Sequence, residues 1–103
     1  MGTLIYGPAA KSISIDDRDL AHLQAVILAK LRRGESFSFS WEKSADFGSG
    51  HNTVWVHPQM YFEFNYYGSK RIPLNREWIE RLMVRANSAG GLELIPEKMA
   101  ATS

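Results

Sequence analysis

The 103-residue chain contains no cysteine and no long apolar run, and its positive and negative charges nearly cancel. The lack of cysteine excludes thiolate catalysis, disulfide frameworks and cysteine-based zinc sites, and it fits a reducing cytoplasm. No apolar stretch approaches the roughly 20 residues that a transmembrane helix needs. Residues 1–7 lack the basic start and long apolar centre of a secretory signal. We therefore expect a cytoplasmic protein that does not bind membranes.

The charge and the length of the chain bound its class. The chain has twelve Lys and Arg and eleven Asp and Glu, so its net charge is +1. It therefore lacks the basic excess of an obligate nucleic-acid binder. A chain of this length, 45% hydrophobic, has the size and composition of one globular domain. We expect a single α+β domain over residues 1–96 and a disordered tail over residues 97–103.

Residues 36–41 read SFSFSW, which alternates a small hydroxyl with an aromatic ring. In an extended chain this period places all three rings on one face and all three serines on the other, so it predicts a half-buried β-strand. The apolar segments 53–58 and 60–67 can extend the same sheet after a turn-rich loop over 44–52. Their outward parity carries Trp55, His57, Tyr61, Glu63, Asn65 and Tyr67.

Two helices and an amino-terminal hairpin complete the predicted fold. Segments 3–6 and 11–15 are expected to pair across a Gly-Pro turn. Asp16 and Asn75 are good N-caps, and glycines end each helix, at 34 and at 90–91. The element order ββαβββαβ predicts one antiparallel sheet of five to six strands with both helices on one face. The predicted buried stripes are Leu20, Leu23, Ile27 and Leu31, then Trp78, Ile79, Leu82, Met83 and Ala86.

Catalytic and metal-binding patterns are weak. His51 and His57 lie near Asp46 and Glu63 along the chain, but no spacing forces these four residues to converge on a metal. Ser38 or Ser40 with His57 and Glu63 resembles a hydrolase triad only in composition, because a serine nucleophile sits on a strained turn with oxyanion donors, not within a strand. His22 is expected at the surface or boundary of the first helix. We predict no catalytic residue, metal or cofactor.

The outward strand face is the best candidate for binding. Trp55, Tyr61 and Tyr67 interleave with His57 and Glu63, and flat rings with polar tips can stack bases or meet a protein surface. Aromatic residues are also common in any strand, where they can cover the sheet or fill a homodimer contact. Positive charge at the margin of this face is expected from Lys30, Arg32, Arg33, Lys70 and Arg71.

Three stretches, MGTLIYG at 1–7, AKLRRGESF at 29–37 and LNREWI at 74–79, are similar to a small bacterial family of proteins of about a hundred residues. Members of that family commonly carry the label ATP-dependent DNA ligase, although the family has no established activity. The resemblance implies at most a supporting role beside DNA.

Ligase chemistry itself requires a lysine in a Lys-x-Asp-Gly setting, because the uncharged amine attacks the α-phosphate of ATP. The nearest match, KSADFG at 43–48, misplaces both Asp and Gly. We therefore expect a non-catalytic domain that acts by binding. We expect its partner to be a protein, which includes a second copy of this chain. The alternative partner is a nucleic acid.

Overall fold

A computed structural model describes residues 1–42 and 51–97, apart from the side chains of Glu42 and His51. Within these residues the α+β class predicted from the sequence is confirmed. The elements, in chain order, are β1 (Gly2–Tyr6), β2 (Lys11–Ile15), α1 (Asp17–Arg32), β3 (Phe37–Glu42), β4 (His51–Val56), β5 (Phe62–Asn65), α2 (Arg76–Ala86) and β6 (Leu92–Glu93).

The first sheet is antiparallel, with the strand order β2-β1-β5. β1 and β2 form the predicted hairpin, and Gly7 adopts a positive φ of 77° at its turn. On the other side of β1, Leu4 lies opposite Phe64 and Tyr6 lies opposite Phe62. These apolar pairs share the face that points to the core.

The second sheet has the order β4-β3-β6 and is mixed, because β3 runs antiparallel to β4 and parallel to β6. Phe37 lies opposite Val56, and Phe39 lies opposite Val54. Both phenylalanines and Val56 are buried. The predicted side-chain alternation in β3 and β4 is therefore confirmed, although β4 begins at His51, inside the segment predicted as loop.

The prediction of one antiparallel sheet of five to six strands is wrong. β4 and β5 follow each other along the chain, but a tight turn between them, closed by the Met60 N–H donating to the His57 carbonyl at 3.0 Å, directs the chain away from β4. β5 then pairs with β1, where its phenylalanines meet Leu4 and Tyr6. Consecutive strands usually pair, as β1 with β2 and β3 with β4 do here, but β4 and β5 belong to different sheets.

The helices begin at the predicted caps. The Asp16 carboxylate accepts from the Arg18 N–H, and the Asn75 side chain accepts from the Trp78 N–H. Gly34 has a φ of 73° just past α1. α2 ends at Ala86, before the predicted glycine stop at 90–91, and the chain then turns into β6.

One hydrophobic core joins both sheets and both helices. α1 packs on β1 and on α2, and α2 packs on β3 and β6. The sheets also meet directly, because the Tyr6 and Trp41 rings lie edge to face with centroids 5.7 Å apart. The core residues include Leu4, Leu20, Leu23, Val26, Ile27, Phe39, Val56, Trp78, Leu82 and Leu92.

Candidate interaction surfaces

The predicted outward aromatic residues are exposed. The side chains of Trp55, Tyr61 and Tyr67 are 63%, 54% and 86% exposed. We call these three residues the aromatic surface. Trp55 belongs to β4 of the second sheet, whereas Tyr61 directly precedes β5 of the first sheet and Tyr67 follows it. They therefore do not share one sheet face, as the single-sheet prediction required.

The turn between β4 and β5 links Trp55 with Tyr61. His57 is exposed at the start of this turn, and the Tyr61 carbonyl accepts the Gly7 N–H at 2.9 Å, which fixes the far end of the turn on the first sheet. Both rings thus flank a turn held by backbone hydrogen bonds. Their positions relative to β1 are set by the main chain.

Glu63 is the charged residue of this region, and its charge is satisfied locally. Tyr61 Oη donates to Glu63 Oε1, and Asn65 Nδ2 donates to Glu63 Oε2 at 2.7 Å. The Tyr61 hydrogen bond, followed by that of Asn65, lowers the pKa of Glu63. The same carboxylate raises the pKa of the Tyr61 hydroxyl. Both oxygens of the Glu63 carboxylate are therefore bonded, and both bonds favour its ionised form.

The predicted basic margin is divided by the fold. Arg32, Lys70 and Arg71 line one cleft between α1 and the segment 68–74, with a volume of about 1110 Å³. We call this cleft the basic groove. Arg33 does not line it; the Arg33 side chain is exposed and its Nε lies 3.5 Å from Glu35 Oε2.

Lys30 is not part of a basic margin, and that expectation is wrong. It is buried on α1, where Nζ donates to Asn87 Oδ1 at 2.5 Å and lies 2.9 Å from Glu35 Oε1. The ammonium also lies 5.8 Å from the centre of the Phe37 ring. The hydrogen bond from Lys30 is the main cause of the lowered pKa of Glu35. Lys30 thus joins the end of α1 to the end of α2.

His22 is likewise not at the surface; it is fully buried, contrary to the prediction. Its Nε2 lies 2.7 Å from the Asn75 backbone nitrogen, and its Nδ1 lies 2.7 Å from the Arg18 carbonyl. A backbone N–H can only donate, so Nε2 accepts and the proton is on Nδ1. The ring packs on Trp78 with centroids 4.3 Å apart. This neutral histidine links the two helices.

Glu97, which the sequence places in the disordered tail, is bound to the domain. Both of its oxygens accept from Arg18, at 2.7 Å from Nε and 2.6 Å from Nη2, and Asn75 Nδ2 donates to Oε2 at 2.7 Å. The Arg18 hydrogen bond, followed by that of Asn75, lowers the pKa of Glu97 to about 2. Nearby, Trp78 Nε1 donates to the Ile95 carbonyl at 2.8 Å. Residues 98–103 lie outside the described residues.

A second cleft of about 880 Å³ has the opposite charge. It lies between β2 and the second sheet and is lined by Asp16, Asp19 and Glu93 beside Ile13 and Leu94. Burial, followed by the charge of Asp16, raises the pKa of Asp19. The domain thus separates a basic groove from an acidic cleft, which the near-zero net charge did not reveal.

Comparison with known proteins assigns the family. A family model described as Domain of unknown function (DUF7882) matches residues 1–97. The chain belongs to this family. No curated protein matches the chain, and no solved structure matches it. The match confirms the predicted resemblance to a small family without established activity, and it does not extend to the ligase label.

Within this family member, several predicted sites cannot be placed on the structure. The nearest approach to a ligase motif, at 43–48, and the side chain of His51 lie outside the described residues. His57 and Glu63 are described, and no group of three or more metal-ligating side chains occurs within that part of the chain. None of the helices in the described ranges is long and apolar enough to cross a bilayer.

Proposed function

We propose that this domain acts by binding another protein, and that the partner is a second copy of the chain. The observation that supports the proposal is the aromatic surface, three large rings that remain exposed although the domain buries a hydrophobic core of its own. Trp and Tyr are enriched among the few residues that contribute most of the binding energy at protein–protein interfaces.

The chemistry of these residues suits a protein contact. Tyr and Trp combine a large apolar area with one polar atom, and they lose little conformational entropy when they are fixed. Glu63 lies between Tyr61 and Asn65 with both carboxylate oxygens already bonded. Its charge would therefore cost less to bring into an interface than a free carboxylate would.

Strand edges favour a second copy as the partner. In the described sheets β5 pairs only with β1, and β4 pairs only with β3. Each strand therefore has one open edge beside an aromatic residue, and an edge strand can pair antiparallel with its own copy about a two-fold axis. The net charge of +1 offers little repulsion between copies.

Sedimentation velocity from micromolar to millimolar protein tests the proposal. We expect the wild type to sediment as a dimer at the upper end, and the triple variant Trp55→Ser, Tyr61→Ser and Tyr67→Ser to remain monomeric. Val84→Ser is the matched control, because Val84 is 69% exposed but lies on α2. A monomeric wild type throughout, or dimers that persist in the triple variant, would contradict the proposal.

Nucleic-acid binding is the alternative, and the convergence of Arg32, Lys70 and Arg71 on one groove favours it. Tyr67 is exposed just before Lys70 and offers a ring on which a base can stack. Fluorescence anisotropy with labelled single- and double-stranded DNA tests this alternative. Binding would weaken steeply with salt, and removal of each phosphate-contacting cation would reduce the slope by about one. No binding at low salt would exclude it.

A further inference from the structure

Neither Trp55 nor Tyr61 lines the basic groove, and its floor on α1 is mostly apolar, with Gln24 as the polar member. Ala21, Ala25 and Leu28 are spaced four and three residues apart on α1, so they lie on one face of the helix, where they are half-buried. The opposite wall includes Leu74, which is 54% exposed. Two alanines in the floor leave room for an incoming side chain over the helix.

The rim of the basic groove carries charge of one sign. Arg32, Lys70 and Arg71 are exposed, and no described residue that lines the groove has a carboxylate. No ion pair joins these three cations to a carboxylate elsewhere in the described part of the chain. Neighbouring cations without counter-charges create a positive potential that attracts an anionic group.

The wall formed by residues 68–74 is held at both ends. The Asp17 carboxylate accepts from the backbone N–H groups of Tyr67 at 3.1 Å and Gly68 at 2.9 Å, and both bonds lower the pKa of Asp17. At the other end, Arg18 Nη1 donates to the Pro73 carbonyl at 3.1 Å. Because this wall is already fixed in the free protein, less conformational entropy is lost when a ligand binds.

From this combination we propose that the basic groove binds an acidic peptide segment of a partner protein, with apolar side chains on the floor and carboxylates on the rim. From Ala21 to Arg32 the groove follows α1 for about 16 Å, the span of about five extended residues. A peptide can present apolar and acidic side chains alternately. A nucleic acid would use the rim but gain little from the apolar floor.

Fluorescence anisotropy with three labelled synthetic peptides tests this proposal. One peptide alternates Leu with Glu, the second replaces Glu by Lys, and the third replaces Leu by Ser. We expect the Leu–Glu peptide to bind with a micromolar Kd, and each of the other two to bind about tenfold more weakly or worse, a difference of about 1.4 kcal/mol. Equal binding of all three peptides, or no binding of the first, would overturn the proposal.

Arg32, the last residue of α1, and Arg33, which follows the helix, provide a matched pair of variants. Arg32→Glu should weaken binding of the Leu–Glu peptide about tenfold or more, whereas Arg33→Glu should leave it nearly unchanged, because Arg33 does not line the groove. Lys70→Glu is a second variant outside the helices and strands, and circular dichroism checks that each variant is folded. Equal effects of the Arg32 and Arg33 changes would contradict the proposal.

Two further measurements separate this proposal from its rivals. If a labelled oligothymidylate binds more tightly than the Leu–Glu peptide and competes with it, the groove is a nucleic-acid site and the peptide proposal fails. Sedimentation of Arg32→Glu should match that of the wild type, because the aromatic surface does not include Arg32. Failure of the peptide proposal therefore leaves self-association intact, and the reverse also holds.

Discussion

Hydrogen bonds between a few polar side chains connect α1, α2 and the segment that ends at Glu97. His22 receives the Asn75 N–H, the Asn75 side chain caps α2, and the same side chain donates to Glu97. Arg18 holds both oxygens of Glu97. Each of these groups has its partners, so burial of polar atoms here costs little, and loss of one member leaves the others unsatisfied.

Replacement of His22 by alanine should destabilise the domain strongly. The change leaves the Asn75 N–H without its partner and removes a ring packed on Trp78, so we expect a loss of about 3 kcal/mol in the free energy of unfolding. Urea denaturation measures it. His57→Ala is the control and should change stability by less than about 0.5 kcal/mol, because His57 is exposed. Similar losses for both variants would refute the structural role of His22.

The ion pair of Glu97 predicts a dependence of stability on pH. The folded-state pKa of Glu97 is about 2, below its ordinary value of 4.5, so its contribution is complete above pH 4.5 and is lost as the pH falls towards 2. Wild type should therefore be more stable than Glu97→Gln near neutral pH, and the difference should shrink through this window. A difference in unfolding free energy that stays constant down to pH 2.5 would contradict the assignment.

At the scale of elements, the connection from α2 to β6 determines how the second sheet is completed. β6 pairs parallel to β3, with Leu92 opposite Phe39, and Gly91 precedes it with a φ of 79°. A Cβ built on Gly91 would lie 2.8 Å from the Ser38 carbonyl oxygen and 1.9 Å from Ser38 Oγ. Only glycine can bring the chain this close to β3.

Gly91→Ala should therefore be much more harmful than Gly34→Ala. Both positions have positive φ, but a Cβ on Gly34 meets no atom within 4 Å. Gly34→Ala carries only the conformational cost, about 1 kcal/mol, whereas Gly91→Ala adds a backbone clash and should cost about 3 kcal/mol or more. Thermal unfolding of the two variants compares them. Equal shifts in Tm for the two variants would contradict the close approach of Gly91 to β3.

Element type, side-chain parity and the β1–β2 hairpin could be predicted from the sequence, whereas the pairing of strands distant along the chain could not. The alternation in β3 and the caps at Asp16 and Asn75 depend on residues close in the chain, and local geometry decides them. The pairing of β5 with β1 depends on a contact between distant segments and is not visible in any local pattern. The burial of His22 and Lys30 cannot be predicted locally, because it depends on partners in α2 and at its two ends.

At the scale of the whole molecule, one core supports three surfaces of different character. The aromatic surface lies around β4 and β5, the basic groove lies beside α1, and the acidic cleft lies between the sheets. The sequence indicated the first surface through outward parity. It indicated the cations of the second but not their convergence, because the fold brings residues 70 and 71 beside residue 32. The proposed binding role would use these outer surfaces, while the polar contacts of His22, Asn75 and Glu97 stabilise the fold.

Fluorine NMR of protein labelled with 5-fluorotryptophan tests the central claim most directly. The chain has three tryptophans, of which Trp78 is buried and Trp55 is exposed; the Trp55→Phe variant identifies the Trp55 signal. As the protein concentration rises from micromolar to millimolar, we predict that the Trp55 resonance shifts and broadens while the Trp78 resonance stays in place. A Trp55 resonance that does not change over this range would contradict self-association through the aromatic surface.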